Sequence, residues 1–245
     1  MMNLKMCHKI TSYFAILLTF GLYTVSANAK DEYKFNLGVK LLASSWNGKN
    51  NSSGTSYKQD EGGQFGWNIG LQKGRFYTGL SLQGGEYNFT GEGPEQVTAN
   101  TTVNVTNVKV TRSEFDLIAG YYFWDNISFF LDLKSITNKH NKNNYEQKFS
   151  GLGLGIAGAW PINDDVALYG SFGFFTKVDV EANGKKVGSA NNVALEFGAA
   201  FRINDANRLN AGIKAQSQEY TFDNGTTQNH DVASLFVGYN YIFGF

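Results

Sequence analysis

The chain has 245 residues and equal numbers of basic and acidic side chains, 21 of each, so its charge gives no indication of a nucleic-acid partner. Its single cysteine, Cys7, lies near the amino terminus, which excludes disulfide staples from the rest of the chain. Aromatic residues make up 15% of the sequence, and there are 28 Gly but only 2 Pro. This composition favours many β-strands joined by turns.

The first 29 residues have the pattern of a secretory signal peptide. Lys5 and Lys9 precede an apolar run over 13–25, and Ala27 and Ala29 supply the small residues of a cleavage site. Cleavage after Ala29 would leave one domain, residues 30–245. A retained transmembrane helix is the alternative, but it needs about 20 apolar residues. No later stretch has so long an apolar run, which excludes a helical membrane protein.

Ten later segments alternate between apolar and polar residues with a period of two, as β-strands with one apolar face do. In chain order their clearest stretches are 33–45, 64–72, 76–82, 114–123, 127–134, 151–160, 166–180, 193–203, 208–216 and 233–245. Long polar segments follow the first, third and fifth strands, whereas short turns follow the second, fourth, sixth and eighth. Asn183 and Gly184 form the strongest hairpin signal, and a bulge is expected near Gly84 and Gly85.

This alternation of long and short connections predicts an all-β fold, a transmembrane antiparallel up-and-down β-barrel of ten strands, with eight strands as the alternative. Each segment has the roughly 9 to 11 residues that a tilted strand needs to cross the hydrocarbon. A lipid environment demands closure, because an open edge would leave backbone N–H and C=O groups unpaired. The last strand should therefore pair with the first.

A soluble β-sandwich or lipocalin-like barrel, with its apolar faces inward, is the competing prediction. Two features of the strands favour a barrel whose apolar face points outward to lipid. The polar faces carry both charge signs, which suits a compensated lumen, and we predict a lumen charge network of Lys34, Lys40, Glu114, Asp116, Asp132, Lys134, Lys177, Asp179, Glu196, Arg202, Arg208 and Lys214. Aromatic residues on the apolar faces gather near the short turns, as an interfacial girdle would: Tyr33, Phe35, Phe76, Tyr121, Phe123, Phe129, Trp160, Phe201, Tyr241 and Phe243.

The last strand becomes aromatic toward its end, with Tyr241, Phe243 and the final Phe245 on one face. Together, the alternation, the girdle and the final Phe resemble the small outer-membrane β-barrel proteins of Gram-negative bacteria. The resemblance implies a protein of the cell outer membrane, in contact with lipid and lipopolysaccharide. It also implies insertion by the barrel-assembly machinery, with Tyr241, Phe243 and Phe245 as the assembly signal. It implies no particular activity and no oligomeric state.

One glycine motif in the predicted sixth strand has a possible chemical interpretation. Gly153, Gly155 and Gly158 fit the G-x-G-x-x-G dinucleotide-binding pattern, but that fingerprint requires a helix that opens at the glycines. Here they alternate with apolar residues inside a strand. We interpret them as small lumen-facing residues that make room for Phe130, Tyr169 or Phe175.

Two histidines follow the signal peptide, His140 and His230, and both are predicted to lie in external loops. His230 and its neighbour Asp231 could pair with Ser234, but the Asp-x-His arrangement of omptin-like proteases is missing, as is the His-x-Ser pattern of lipid A deacylases. Two isolated histidines also give no metal-ligand spacing. We therefore predict no enzyme activity, no metal site and no cofactor, with a rim-sited hydrolase as a minor alternative.

Two function classes remain. The preferred one is a narrow or gated small-solute channel; the other is a barrel scaffold whose external loops bind a surface partner or support envelope integrity. Ten strands give an interior only slightly wider than eight-stranded barrels, which side chains fill, so opposite charges should cross-link and occlude the lumen. Loop binding would rest on a Thr/Asn-rich second loop and a basic third loop with Lys139, Lys142 and Lys148.

Overall fold

The computed structural model describes residues 33–244, which form strands, turns and loops. Within this range, no helix is long and apolar enough to cross a membrane. The predicted signal peptide and Phe245 lie outside the described residues. The strands are β1 (Tyr33–Asn50), β2 (Thr55–Lys58), β3 (Glu61–Lys73), β4 (Phe76–Glu92), β5 (Gln96–Val97), β6 (Thr102–Val103), β7 (Thr106–Trp124), β8 (Ile127–His140), β9 (Glu146–Pro161), β10 (Val166–Ala182), β11 (Lys185–Arg202), β12 (Asn207–Phe222) and β13 (Thr227–Gly244).

Ten of these strands, β1, β3, β4 and β7 to β13, form one antiparallel barrel in chain order. The ring closes where β13 pairs with β1, from Lys34 opposite Gly244 to Asn50 opposite Gln228. Closure satisfies the backbone groups of both edge strands, which a hydrocarbon environment requires. The prediction of ten strands, with the last paired to the first, is confirmed, and the eight-strand alternative is wrong.

The two ends of the barrel differ in their connections. Short turns at 74–75, 125–126, 162–165 and 203–206 lie at one end, which we call the short-turn end. The other end, the loop end, carries the remaining connections, including β2, which extends the sheet beside β1, and the separate β5–β6 pair. Asn183 and Gly184 form the predicted tight turn there, with positive φ angles of 50° and 75°.

The outer face of the barrel is apolar near the short-turn end. On β13, Leu235 and Val237 are exposed, whereas the alternate residues Ser234 and Phe236 are buried in the lumen. The predicted orientation, with apolar faces outward, is therefore confirmed. Most of the predicted girdle is also exposed at this end: Tyr33, Phe76, Tyr121, Phe129, Trp160, Phe201, Tyr241 and Phe243. Phe35 and Phe123 are half-buried against neighbouring aromatic rings.

Toward the loop end, the strands continue past the apolar band. β8 reaches His140 and β9 begins at Glu146, so most of the predicted third loop is strand. Its outward side chains are polar, and Lys139 pairs with Glu146 at 3.0 Å. In the predicted second loop, β4 continues to Glu92, and β5 and β6 then form a separate hairpin.

The bulge predicted at Gly84 and Gly85 is wrong, because β3 and β4 pair without a register shift along their whole length. A shift occurs instead in β10, between Phe175 and Val178. Lys177 lies inside this bulge with a φ of 50°.

Because of this bulge, two residues of the predicted charge network lie on the outer face of the barrel. One extra residue exchanges the two faces of a strand, since side chains alternate with a period of two. Val178 and Val180 are consequently buried in the lumen, whereas Lys177 and Asp179 are exposed on the outside. Asp179 there pairs with Lys186 at 2.5 Å. The prediction that Lys177 and Asp179 line the lumen is wrong for this reason.

Candidate functional site

A layer of charged and amide side chains crosses the middle of the lumen. Arg112 of β7 lies at its centre with a side-chain exposure of 0%, and its Nε donates to Glu114 Oε1 at 2.8 Å. Its terminal nitrogens donate to Gln216 at 2.8 Å and to Asn138 at 3.3 Å. Gln216 belongs to β12, which is five strands from β7 in either direction round the ring. The guanidinium fork therefore joins opposite walls of the barrel.

Glu114 is the main acceptor of this layer, and its side chain is 1% exposed. Besides Arg112, it accepts hydrogen bonds from Lys214 at 3.2 Å, Gln83 at 2.8 Å and Gln216 at 3.0 Å. These donors come from β4, β7 and β12. A buried carboxylate needs such compensation, because removal from water costs several kcal/mol per ion.

Two further ion pairs complete the layer. Lys134 of β8 pairs with Asp116 of β7 and lies 3.8 Å from Asp132. Lys40 of β1 pairs with Glu196 of β11 at 2.7 Å, across two intervening strands. We call these residues, with Arg112 and Glu114, the charge layer.

Of the predicted charge network, the structure brings seven residues together here: Lys40, Glu114, Asp116, Asp132, Lys134, Glu196 and Lys214. Arg112 was missed by the sequence prediction. It lies two residues before Glu114 on β7 and so on the same face of the strand. Extending the alternation of the fourth predicted strand, 114–123, by two residues toward the amino terminus would have found it.

Three other predicted charges lie at the short-turn end. Arg202 contacts Asp165 at 3.3 Å and Asp205 at 3.6 Å, both in short turns. Lys34 and Arg208 line the same mouth, around a cavity of about 510 Å³. These side chains therefore do not join the charge layer.

Between the charge layer and the loop end, two clusters of buried apolar side chains fill the lumen. The first comprises Trp46, Tyr57, Tyr87, Phe89, Val105, Val108, Val110 and Val232. The second comprises Val97, Ile136, Tyr145, Phe149, Phe175, Val178, Val180, Ala182, Val187, Ala190, Tyr220 and Phe222. This half of the barrel thus has an interior like the core of a soluble protein.

The connection between β4 and β7 folds into the loop-end mouth, and we call its residues 93–105 the strap. Residues 93–97 are buried. The Val97 N–H donates to the Tyr145 hydroxyl at 3.0 Å, and that hydroxyl donates to the Val97 carbonyl at 3.0 Å. Burial raises the pKa of Tyr145 to about 12, so its hydroxyl keeps the proton that it donates.

Neighbouring loops hold the strap in place. Glu95 accepts hydrogen bonds from Ser52 Oγ at 2.5 Å and from Ser53 Oγ at 2.7 Å. On the other side of the mouth, Gln96 donates to the Lys142 carbonyl at 3.0 Å. The strap therefore closes the mouth through contacts with the loops after β1 and β8.

The histidines lie in strands and not in loops, contrary to the prediction. Both point into the lumen, where His140 is 6% and His230 is 0% exposed. The prediction was wrong because β8 and β13 extend beyond the apolar band, where polar residues no longer mark a loop. His230 packs against the rings of Trp46, Tyr57 and Tyr220, at centroid distances of 5.1, 6.0 and 4.6 Å.

The possible combination of His230, Asp231 and Ser234 does not form. Asp231 faces outward and accepts a hydrogen bond from Ser217 Oγ at 2.6 Å, whereas Ser234 faces inward and contacts Ser44 Oγ at 2.8 Å. Consecutive strand residues point to opposite faces, which separates the histidine from its neighbour. In residues 33–244, no three His, Cys, Asp or Glu side chains come close enough together to hold a metal ion.

The glycines of β9 make room for aromatic rings, as predicted for Phe130 and Phe175. A Cβ at Gly155 would lie 2.1 Å from the Phe130 ring, and one at Gly153 would lie 2.5 Å from the Phe175 ring. The ring of Tyr169 packs over a glycine of another strand, because a Cβ at Gly198 of β11 would lie 2.9 Å from that ring.

Between the charge layer and the short-turn end, the lumen stays partly hollow. An inner cavity of about 100 Å³ lies beside the charge layer, and the cavity of about 510 Å³ lies at the mouth. Lys34 and Arg208 line the mouth cavity, and Asn36 and Asn210, two residues further along the same strands, line the inner one. We call the two successive cavities the vestibule.

No protein-family model matches the chain, and no curated protein matches it. Among solved structures, the outer-membrane protease OmpT of Escherichia coli is similar at 11% identity, with a TM-score of 0.58 over 89% of this chain and 100% of the other. The β domain of the Bordetella autotransporter BrkA matches at 11% identity and a TM-score of 0.43, over 87% and 100% of the two chains. Neisserial surface protein A matches at 10% identity and a TM-score of 0.35, over 84% and 96%. The chain has the fold of Gram-negative outer-membrane β-barrels.

Proposed function

We propose that this chain is an integral protein of the Gram-negative outer membrane, with its short-turn end in the periplasm and its loop end outside the cell. The outward apolar band and the aromatic girdle support this location, because they suit hydrocarbon and its interface. The signal peptide predicted at residues 1–29 agrees with export. Lipid and lipopolysaccharide would then surround the barrel, and the barrel-assembly machinery would insert it.

We infer further that the barrel is a closed scaffold and not an open pore. The observation that supports this is the Arg112 guanidinium, which is fully buried and bonded to side chains from both sides of the ring. A solute that crossed the lumen would have to break the contacts that Arg112 and Glu114 of β7 make with β12, and to displace the apolar clusters beyond them. Removing one partner from a buried ion pair costs about 3 to 5 kcal/mol, so spontaneous opening would be rare.

The scaffold would present its loop end to an external partner or support envelope integrity. Lys139 pairs with Glu146, and Lys186 with Asp179, on the outer surface beyond the apolar band. The strap and its supporting loops close the mouth between these walls. Together they give the rim a defined shape, which a recognition surface needs.

A gated small-solute channel is the second candidate. The vestibule favours it, because one cavity lies at the short-turn mouth and another beside the charge layer. Passage of a solute would require the charge layer, the apolar clusters and the strap to move.

A rim-sited hydrolase has less support. OmpT is a protease, but its likeness to this chain concerns the fold alone. His140 and His230 are buried inside the barrel, where a substrate bound at the rim would not reach their imidazoles.

Planar-bilayer recording of the refolded full chain distinguishes the scaffold from the channel. We expect no stable current from the unchanged protein or from a variant that lacks the strap, because the charge layer remains in both. A 16-stranded porin recorded in the same bilayers serves as the positive control. Stable currents from the unchanged protein would refute the closed scaffold, and currents that appear only after strap deletion would favour the gated channel.

A further inference from the structure

We propose that the vestibule holds a binding site for a small neutral solute with several hydroxyl groups, about the size of glycerol. The site is the inner cavity of about 100 Å³ beside the charge layer. The inference goes beyond the closed scaffold, because such a solute would enter and leave through the short-turn mouth without crossing the barrel.

Asn68 and Asn240 line one wall of the site, and their side chains meet over Gly38 of β1. The register partners of Gly38 are Asn68 of β3 and Asn240 of β13. A Cβ at Gly38 would lie 2.2 Å from Asn240 Oδ1 and 2.5 Å from Asn68 Oδ1. The two carboxamides thus converge over the space that a side chain would otherwise occupy. Asn240 Nδ2 also donates to Asn210 Oδ1 at 3.0 Å, which extends the amides along the wall.

Two residues that line this cavity each have a buried oxygen without a hydrogen-bond partner among the described residues. Asn36 is 3% exposed and Asp132 is 5% exposed, and the Oδ1 atom of each has no donor. Both residues line the inner cavity. Because buried polar atoms are nearly always hydrogen-bonded, a small rotation of either side chain toward the cavity would satisfy its oxygen with an O–H or N–H group of an occupant.

The charges around the cavity favour a neutral occupant. Its lining carries three ammonium groups and three carboxylates, which are Lys40, Lys134, Lys214, Asp116, Asp132 and Glu196. Lys40 is already paired with Glu196, and Lys134 with Asp116. An added charge of either sign would meet like charges in the wall and would have to lose its hydration shell.

The remaining wall is apolar and suits a carbon skeleton. Tyr77, Phe130 and Tyr169 contribute aromatic rings to the inner cavity. Apolar walls with a few placed polar groups are typical of small-molecule sites. The volume limits the ligand, because an engineered cavity of about 150 Å³ accepts benzene, and one of about 100 Å³ suits a solute no larger than glycerol. Ordered water is the competing occupant.

Saturation-transfer difference NMR tests the proposal, with the refolded full chain in detergent micelles and glycerol as the probe. We expect transfer to glycerol in the unchanged protein and its loss in Gly38→Ala, whose methyl group would displace both carboxamides. Gly91→Ala is the matched control, because a Cβ there meets no atom within 4 Å. Asn36→Ala removes one acceptor without adding bulk and should weaken binding about tenfold, the effect of one lost hydrogen bond.

Heat-modifiable migration on a gel first establishes that each variant is folded. If Gly38→Ala does not fold, the affinity of Asn36→Ala for glycerol tests the proposal alone. The proposal is overturned if glycerol receives no saturation in the unchanged protein, since the cavity then holds water only. Equal transfer in the folded Gly38→Ala and Gly91→Ala proteins, or an unchanged affinity in Asn36→Ala, would also overturn it. A second experiment uses methylammonium chloride as the probe, and stronger transfer to this cation than to glycerol would contradict the neutral ligand class.

Discussion

Replacing Arg112 by Ala should destabilise the barrel by about 3 to 5 kcal/mol, because it leaves a buried carboxylate without its nearest cation. Glu114 would keep Lys214 at 3.2 Å and the amides of Gln83 and Gln216. These remaining donors place the expected loss near the lower end of that range. Gln216 would at the same time lose the donor that now lies 2.8 Å from its Oε1.

Unfolding by urea in lipid vesicles, followed by tryptophan fluorescence and extrapolated to zero denaturant, measures this loss. Lys139→Ala is the matched control. Its ion pair with Glu146 is exposed, with 63% of the lysine side chain accessible, and should contribute no more than about 1 kcal/mol. Combining Arg112→Met with Glu114→Gln should recover part of the loss, because it removes the buried carboxylate together with its nearest cation. The recovery should be incomplete, because Lys214 then lacks the carboxylate that it contacts at 3.2 Å. A loss in Arg112→Ala as small as in Lys139→Ala would refute the role assigned to the charge layer.

Two further predictions concern packing and assembly. Gly155→Ala should lower the free energy of unfolding by about 1 to 3 kcal/mol in the same assay, because its methyl group overpacks against Phe130. Adding Phe130→Leu should restore part of that stability. An unchanged unfolding midpoint in Gly155→Ala alone would contradict the contact. Deleting Phe245 should impair assembly more than deleting the strap, as heat-modifiable migration of outer-membrane fractions would report. Normal migration of that truncated protein would argue against the predicted assembly signal.

The strand count, the closure and the outward apolar face could be predicted because lipid imposes a simple rule on sequence. Each membrane-crossing residue faces either hydrocarbon or the lumen, so alternation such as that of Leu131, Asp132 and Leu133 on β8 gives the register directly. Where both faces are apolar, as at Leu235 and Phe236 on β13, flanking residues such as Ser234 still fix which face points outward.

The sequence prediction was incomplete or wrong beyond the apolar band, where that rule no longer applies. Beyond the band the outer face of each strand meets water and can be polar, while the lumen is filled by a packed core. His140 and His230 therefore resembled loop residues, although they are buried in strands. The bulge at Lys177 also had no local signal, because it requires neither Gly nor Pro. The position of the strap could not be predicted from sequence, because it depends on contacts with residues far away in the chain, such as Tyr145 in the loop after β8.

The link between Arg112 and Gln216 also bears on the order in which the barrel is built. These residues are 104 positions apart in the chain, and their strands stand at opposite points of the ring. Until β12 has been added, the guanidinium keeps Glu114 and Asn138 but lacks its partner on the opposite wall, so its hydrogen bonding in a half-made barrel is incomplete. The hydrogen bonds that close the finished lumen therefore also favour complete rings over intermediates that stop before β12.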